Sequence, residues 1–173
     1  MKRKGQQLTS ADILTDAFGR VQENVHAVVR GLTSSQLAER VAPDANSIAW
    51  LVWHLTRVQD DHVGDAFGVP QAWTEYGQRF ELPLEPYDTG YGHTPEQVAQ
   101  VTVASPDLLT GYYDAVHAQT IRLVAGVTDP GLGRVVDERW NPPVTLGVRL
   151  VSVIDDCAQH VGQAAFIRGI LLG

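Results

Sequence analysis

Three residues with metal-binding side chains stand on two segments of this chain that have helical patterning. Asp156 and His160 are four residues apart in the segment LGVRLVSVIDDCAQHVGQAAFIRGILLG, and residues at this spacing share one face of a helix. His54 lies within the apolar run WLVWHL. Metal sites in helix bundles use inward-facing histidine and carboxylate side chains from facing helices. The pattern therefore suggests one divalent-metal site held by His54, Asp156 and His160.

Each of these residues also has a purely structural explanation. A lone histidine on an apolar helix is more often a hydrogen-bonded core residue than a ligand, and an Asp–His pair at this spacing is often a surface ion pair. If Asp156 points away, Asp155 is the substitute ligand, although it lies about 100° around the helix. Residue chemistry alone leaves the metal site and the structural explanation about equally supported.

The cysteine content limits the kind of metal site that is possible. Cys157 is the single cysteine, which excludes an internal disulfide framework and a site built from several thiolates. A metal would therefore be held by histidine and carboxylate groups. Cys157 is rotated about 100° from Asp156 on the same helix, so we expect it to be a buried structural residue.

The composition predicts a single globular domain over residues 1–173, with residues 1–8 as a flexible tail. The chain is 44% apolar and 19% charged, with a net charge of −7 at pH 7. A nucleic-acid interface needs a basic surface, and a membrane-spanning helix needs about 20 consecutive apolar residues. The sequence has neither feature and no secretory leader, so we expect no nucleic-acid or membrane partner and a cytoplasmic location.

Helix-capping residues and apolar periodicity predict four helices and no convincing strand pair. The first follows Thr9-Ser10, the second follows Asn46-Ser47, and the fourth follows Thr145. The third begins at Thr94-Pro95-Glu96 and runs to about Val127, with an irregularity at Ser105-Pro106 because proline removes a backbone donor. The fold class is therefore all-α, a four-helix bundle.

A long connection separates the second and third predicted helices. Residues 68–93 are rich in proline, glycine and aromatic residues, and we expect no regular structure there. Loops of this length in compact domains tend to be functional. The connection is long enough to cross the whole bundle, so the second and third helices need not be antiparallel neighbours.

Three motifs resemble the DinB/YfiT-like family of four-helix-bundle proteins. The fourth helix contains HVGQAAFIRG, the second contains WLVWHL, and DTGYGHTPEQV forms the entry to the third. The last motif resembles a branch that includes mycothiol-dependent transferases and isomerases. The resemblance extends from about Asp12 to the C-terminus, and it implies a homodimer of single-domain bundles.

The resemblance also implies the ligand set and its charge. His54 and His160 match the family's metal ligands, while Asp156 occupies the position of the first histidine in the family's usual His-x-x-x-His pair. Two imidazoles and one carboxylate suit Zn²⁺, Ni²⁺ or Fe²⁺ with open positions for water or substrate. The departure at Asp156 gives the site one negative charge.

Four further residues are candidates for substrate binding. His62 is expected at the pocket mouth, with a fourth metal ligand as its alternative role. Trp73 and Trp140 lie in connections, where a large aromatic has less structural reason to be, and we expect them to line an apolar pocket. Arg168 is a candidate for binding an anionic group, with a favourable charge near a helix C-terminus as the simpler explanation.

These observations favour a metal-dependent enzyme that acts on a small molecule. The first hypothesis is a transferase or isomerase that uses a low-molecular-weight thiol such as mycothiol as co-substrate, with the metal lowering the pKa of the thiol. The alternatives are a hydrolase that uses metal-bound water and a non-catalytic, stress-associated metal-binding dimer. No residue is identified as a general base. A fourth protein ligand such as His62 would make the site structural and not catalytic.

Overall fold

The computed structural model describes residues 8–173, so nearly all of the predicted tail (residues 1–8) lies outside the described residues. Seven helices are present in the described part of the chain: α1 Ser10–Val29, α2 Ser34–Ala38, α3 Ile48–Phe67, α4 Trp73–Phe80, α5 Pro95–Gln100, α6 Pro106–Val124 and α7 Leu146–Leu172. A 3₁₀ turn at Pro130–Gly133 precedes two short strands, β1 Val135–Asp137 and β2 Val144–Thr145.

The predicted helix starts are confirmed by their capping hydrogen bonds. The hydroxyl groups of Thr9, Ser47, Thr94 and Thr145 each accept from a backbone N–H in the first turn of α1, α3, α5 and α7 respectively. Each bond satisfies one of the orphan donors that a helix N-terminus leaves without an intrahelical partner. The local sequence therefore sets where these helices begin.

The four long helices α1, α3, α6 and α7 form the expected all-α four-helix bundle. Helix α3 packs against α7 on one side and α6 on the other, and α1 packs against the same two helices. The pairs α1–α3 and α6–α7 therefore lie diagonally across the bundle. The second and third bundle helices are neighbours despite the 38-residue connection between α3 and α6. No described helix is long and apolar enough to cross a bilayer.

Helix α3 lies at the centre of the molecule. Every residue from Ser47 to Asp60 is buried, as the nearly continuous apolar run WLVWHL predicts. The side chains of Trp53 and Leu55 contribute to the common core. A histidine on this helix is consequently held in a fixed, dehydrated setting.

Two expectations about irregular segments are wrong, and a third is confirmed only in part. Residues 68–93 contain the helix α4, whose Phe80 joins the core. The predicted third helix is not continuous but consists of α5 and α6. The predicted irregularity at Ser105-Pro106 is confirmed, because Ser105 has extended backbone and caps a new helix that begins at Pro106. Two short antiparallel strands, β1 and β2, pair Val135 with Thr145 and lead directly into α7.

A buried polar cluster attaches the long connection to the bundle. The Asp60 carboxylate accepts from the backbone N–H groups of Ala72 and Trp73 at 2.9 and 2.8 Å, and from the Tyr112 hydroxyl at 2.8 Å. The Arg57 guanidinium lies 3.7 Å from the same carboxylate, with both side chains fully buried. Burial raises the pKa of Asp60, and these hydrogen bonds oppose the rise. The start of α4 is thereby attached to α3.

Replacing Asp60 with Ala tests the importance of this cluster. The change leaves the Arg57 guanidinium buried without its carboxylate partner, so the free energy of unfolding should fall by about 3–5 kcal/mol. The exposed Asp65 lies five residues further along α3, and Asp65→Ala should change the same quantity by less than about 0.5 kcal/mol. Urea denaturation of the two variants measures the difference. Equal stabilities would contradict an anchoring role for Asp60.

Candidate metal centre

The three residues singled out in the sequence come together in the structure. The His54, Asp156 and His160 side chains offer donor atoms that all lie within 4.8 Å of one another. The His54 and His160 rings have a centroid separation of 4.7 Å, and His160 Nε2 lies 3.8 Å from Asp156 Oδ1. Helix α3 supplies one residue and helix α7 supplies two, so the tight α3–α7 packing assembles the group.

Helical periodicity places the α7 residues on one stripe. Arg149, Val153, Asp156 and His160 follow one another at intervals of three or four residues, which keeps them on the same face. Arg149 and Val153 are buried, and Asp156 and His160 are half-buried. Asp155 is exposed, and its carboxylate accepts from the Gln159 amide at 2.8 Å. The structure therefore turns Asp156, and not Asp155, toward His54.

The orientation of His54 is set by the loop that precedes α5. His54 Nδ1 hydrogen-bonds the backbone carbonyl of Thr89. A carbonyl only accepts, so the proton lies on Nδ1 and the lone pair lies on Nε2. Metal-binding histidines commonly donate their second nitrogen in this way. Burial lowers the pKa of His54, which keeps the ring neutral at pH 7.

A second set of hydrogen bonds holds that loop in place. Trp50 stacks on the His54 ring at a centroid distance of 4.5 Å, and its Nε1 donates to His93 Nδ1 at 3.1 Å. The His93 proton is therefore on Nε2, which donates to Asp88 Oδ2 at 2.9 Å. The Asp88 backbone carbonyl accepts from Arg57 Nε at 3.0 Å. Residues 88–93, hereafter the 88–93 loop, are thus hydrogen-bonded to α3 at several points.

Gly90 allows the 88–93 loop to lie directly on α3. Its φ angle is +89°, and a Cβ atom there would lie 2.9 Å from His54 Nδ1 and 2.9 Å from a Trp53 ring carbon. No side chain fits at that distance. Gly90, the first of the two glycines in the DTGYGH motif, is therefore required for the Thr89 carbonyl to reach His54.

Two buried polar atoms of the cluster have no partner among the described residues. These are Asp156 Oδ2 and His160 Nδ1. An unsatisfied buried polar atom costs about 1–3 kcal/mol, and a cation can satisfy both a carboxylate oxygen and an imidazole lone pair. The donor set and the unsatisfied atoms therefore fit a divalent cation. His62 is not part of the cluster, so no fourth protein ligand among the described residues closes the site.

A cavity of about 520 Å³ opens beside the cluster. Its walls include His54, His62, Thr89, Trp140, Arg149 and Asp156. Two of the four residues expected to bind substrate, His62 and Trp140, therefore lie at this cavity. Val144 and Val148 add apolar surface near Trp140.

The other two expected substrate-binding residues lie elsewhere. Trp73 lines a separate cavity with Trp53 and Tyr87, because its N–H donates to the Pro86 carbonyl at 2.8 Å. Arg168 donates to the carbonyl of Val28 at 3.1 Å, near the C-terminal end of α1. Neither side chain lines the cavity beside the three candidate ligands.

Arg149 is a residue at the cavity that sequence reasoning missed. Its Nη1 donates to His62 Nδ1 at 2.6 Å, and its Nη2 donates to Asp137 Oδ2 at 2.9 Å. The available signal was its position seven residues before Asp156, which places an arginine on the same buried face of α7. His93 also lies next to the cluster: its side chain is only 4% exposed, and its Nδ1 accepts a hydrogen bond from the indole of Trp50.

Cys157 is a buried structural residue, as expected. Its side chain has no exposed surface, and Sγ contacts the Leu55 carbonyl at 3.6 Å. Burial raises the pKa of Cys157 well above its ordinary value. The protein's own thiol is therefore not a nucleophile at neutral pH.

The sequence profile of the mycothiol-S-transferase family matches residues 13–173. The chain belongs to this DinB-like family. The resemblance drawn from HVGQAAFIRG, WLVWHL and DTGYGHTPEQV is thereby confirmed. No protein of curated function matches the chain.

Two solved structures share the fold of this family member. A conserved protein from Enterococcus faecalis is 31% identical, with a TM-score of 0.86 over 94% of this chain and 96% of the other. YfiT from Bacillus subtilis, described as a probable metal-dependent hydrolase with an unusual four-helix bundle topology, is 15% identical. Its TM-score is 0.62 over 99% of this chain and 93% of the other. The second likeness shows the four-helix-bundle fold alone.

The contact of Gly90 with His54 can be tested against Gly92, which provides a matched control. Both glycines have positive φ, but a Cβ at Gly92 meets nothing within 4 Å. Gly92→Ala should therefore cost only the backbone strain, about 1 kcal/mol, whereas Gly90→Ala should cost about 2–4 kcal/mol because the new methyl group also overpacks the rings. Denaturant unfolding of both variants checks this. Equal costs would contradict the close approach.

The lowered pKa values of two histidines should make the free energy of unfolding depend on pH. Burial lowers the pKa of His54 and of His62 below the ordinary value of 6.5. Below pH 6.5 the unfolded chain therefore binds protons that these two residues do not bind in the folded state, so protonation favours unfolding. Their contribution to stability is complete above pH 6.5 and is lost as the pH falls toward the lowered pKa values.

Urea unfolding of chelator-treated protein at pH 7.5 and 5.5 measures this contribution. The free energy of unfolding should fall less between the two pH values in a His54→Gln/His62→Gln protein than in the wild type, whatever the absolute stability of the variant. An equal or greater fall in the variant would show that these histidines do not carry the effect.

Proposed function

We propose that this protein is a metal-dependent S-transferase that uses mycothiol as its thiol substrate. His54, Asp156 and His160 would hold the divalent cation, which we propose to be Zn²⁺, Ni²⁺ or Fe²⁺. The single observation that carries the proposal is the convergence of these three side chains beside a cavity, with Asp156 Oδ2 and His160 Nδ1 buried and without partners.

The ligand count supports a catalytic site. Structural zinc sites are closed by four protein ligands, whereas catalytic sites keep a position open for water or substrate. Three protein ligands are available among the described residues, and the cavity adjoins two of them. A divalent cation held there would lower the pKa of a coordinated thiol, so that thiolate is available at neutral pH.

The residues around the ligands support this chemistry by position and charge. The Thr89 carbonyl holds the His54 proton on Nδ1, which leaves Nε2 free to bind a cation. The Asp156 carboxylate offsets part of the positive charge. Trp140, Val144 and Val148 provide apolar surface for the electrophile at the same cavity. Because Cys157 is buried with a raised pKa, the reactive thiol has to come from a substrate.

We propose further that the protein acts in the cytoplasm as a homodimer. Membership in the mycothiol-S-transferase family supports the cytoplasmic location. Exposed apolar residues on α7, including Val151, Phe166 and Ile170, provide a surface that a second copy could cover.

Substitution of the candidate ligands tests the function. The affinity for Zn²⁺ should fall in His54→Ala, Asp156→Ala and His160→Ala. The fall should exceed roughly 10–100-fold, which is the usual cost of losing a residue that only hydrogen-bonds a metal ligand. Conjugation of mycothiol to an electrophile should be lost with the metal. Equilibrium dialysis followed by elemental analysis gives metal content, and a fluorescent bimane conjugation assay with and without chelator gives the activity.

Asp155→Ala is the matched control, because Asp155 is adjacent in sequence but exposed. It should keep both the metal and the activity. Full metal content in both His54→Ala and His160→Ala would overturn the metal site. A metal-dependent hydrolysis without any thiol requirement would favour the hydrolase alternative, and bound metal without turnover would favour a non-catalytic protein.

A further inference from the structure

The tautomer of His62 is fixed by its contact with Arg149. Arg149 Nη1 lies 2.6 Å from His62 Nδ1. A guanidinium group only donates hydrogen bonds, so Nδ1 must be the acceptor, and the ring proton must lie on Nε2. His62 therefore presents an N–H donor on the side of the ring that faces away from Arg149.

Arg149 is itself held in place by Asp137. Its Nη2 donates to Asp137 Oδ2 at 2.9 Å, and the Arg149 side chain is only 10% exposed. Arg139 donates to the same carboxylate at 2.8 Å. Hydrogen bonds from Arg139, together with the one from Arg149, hold the pKa of Asp137 well below its usual value. The carboxylate therefore remains charged, and the guanidinium keeps its position.

The imidazole of His62 stays neutral in this setting. Burial lowers its pKa, and the positive charge of Arg149 lowers it further. A proton on Nδ1 would also point directly at the guanidinium. The Asp61 carboxylate, 3.8 Å from Nδ1, opposes the shift but lies beyond hydrogen-bonding distance.

Nε2 of His62 has no hydrogen-bond partner among the described residues, and the His62 side chain is 41% exposed. His62 lines the same cavity as His54 and Asp156. We propose that the Nε2–H group of His62 donates a hydrogen bond to an acceptor oxygen of the small molecule bound in this cavity, and so determines specificity. This inference rests on the proposed function, since the bound molecule is the thiol or the electrophile of that reaction.

The spacing along α3 restricts which part of the molecule His62 can contact. His62 lies eight residues after His54, which is about 12 Å along the helix axis. The acceptor oxygen is therefore distant from the reacting sulfur. Its source is either a hydroxyl or carbonyl oxygen in the body of the thiol, or an oxygen of the electrophile. A neutral imidazole suits this task because it polarises an oxygen without transferring a proton.

This assignment is distinct from the alternative role of His62 as a fourth metal ligand. Coordination requires a nitrogen lone pair, but the lone pair on Nδ1 accepts from Arg149 and Nε2 carries the proton. The metal content of His62 variants distinguishes the two roles.

Two amide substitutions distinguish the roles of the two nitrogens of His62. The side-chain NH₂ of Gln at this position approximates Nε2 and keeps a donor in the cavity. The side-chain oxygen of Asn approximates Nδ1 and keeps an acceptor for Arg149. For metal-loaded protein, His62→Gln should keep kcat/KM for mycothiol conjugation within about threefold of wild type, whereas His62→Asn and His62→Ala should lose about tenfold or more.

The kinetic parameter that changes identifies the source of the oxygen. A rise in the KM for mycothiol places the acceptor on the thiol, and calorimetric titration of mycothiol into the metal-loaded protein should show the same weakening. A rise in the KM for the bimane electrophile places it on the electrophile. Either result supports the proposal.

The reverse pattern would overturn it. If His62→Asn retains activity and His62→Gln loses it, the residue serves only as an acceptor for Arg149. Loss of Zn²⁺ from His62→Ala would make His62 a metal ligand instead. ¹⁵N spectroscopy of the metal-free protein gives a readout without turnover: Nε2 should show a pyrrole-type signal and Nδ1 a pyridine-type signal, and the opposite assignment would refute the inference.

Failure of the inference is distinguishable from failure of the proposed function. A wild-type protein that neither binds mycothiol nor conjugates it, and that behaves like His54→Ala, overturns both. An active wild-type protein whose activity is insensitive to all three His62 substitutions overturns the inference about His62 alone.

Discussion

The hydrogen bond between His54 and the Thr89 carbonyl is the contact on which the rest of the site depends. It joins the most buried helix of the bundle to the loop that precedes α5, and it determines which nitrogen of His54 can bind a cation. The bond requires close backbone approach, which Gly90 permits. It also requires a fixed loop, which the bonds from Arg57 and His93 to Asp88 provide. The long connection between α3 and α6 is therefore a structural part of the candidate metal centre.

Fixed hydrogen-bond partners also decide the protonation of two other histidines. His93 accepts from Trp50 and donates to Asp88, and His62 accepts from Arg149. In each case the partner can play only one role, so the position of the proton follows from the chemistry of that partner. The site thus combines imidazoles of fixed orientation with the carboxylate of Asp156. Such preorganisation suits a site where a small thiol has to be bound and activated in one orientation.

The sequence by itself determined where α1, α3 and α7 begin and that two of the three candidate ligands share one helix face. Capping hydroxyl groups such as Thr9 and Thr145 set helix starts, because they satisfy backbone donors within the same turn. The spacing of Asp156 and His160 placed them on one face, since helical periodicity is local. The apolar surroundings of His54 predicted its burial. Local patterns failed for α4, whose start is held by the Asp60 carboxylate, and for the short strands β1 and β2.

Only the tertiary structure decided which of the candidate residues meet. Packing of α3 on α7 brings His54 to Asp156 and His160, and it directs Asp155 to solvent. It also brings Arg149 to His62, a pair 87 positions apart in sequence, while Trp73 and Arg168 are held elsewhere by bonds to Pro86 and Val28. Periodicity reports the face of one helix, but it carries no information about the partner of that face. The types of the candidate ligands could therefore be identified from the sequence. The convergence of these residues, the positions of their protons and the cavity beside them follow from packing.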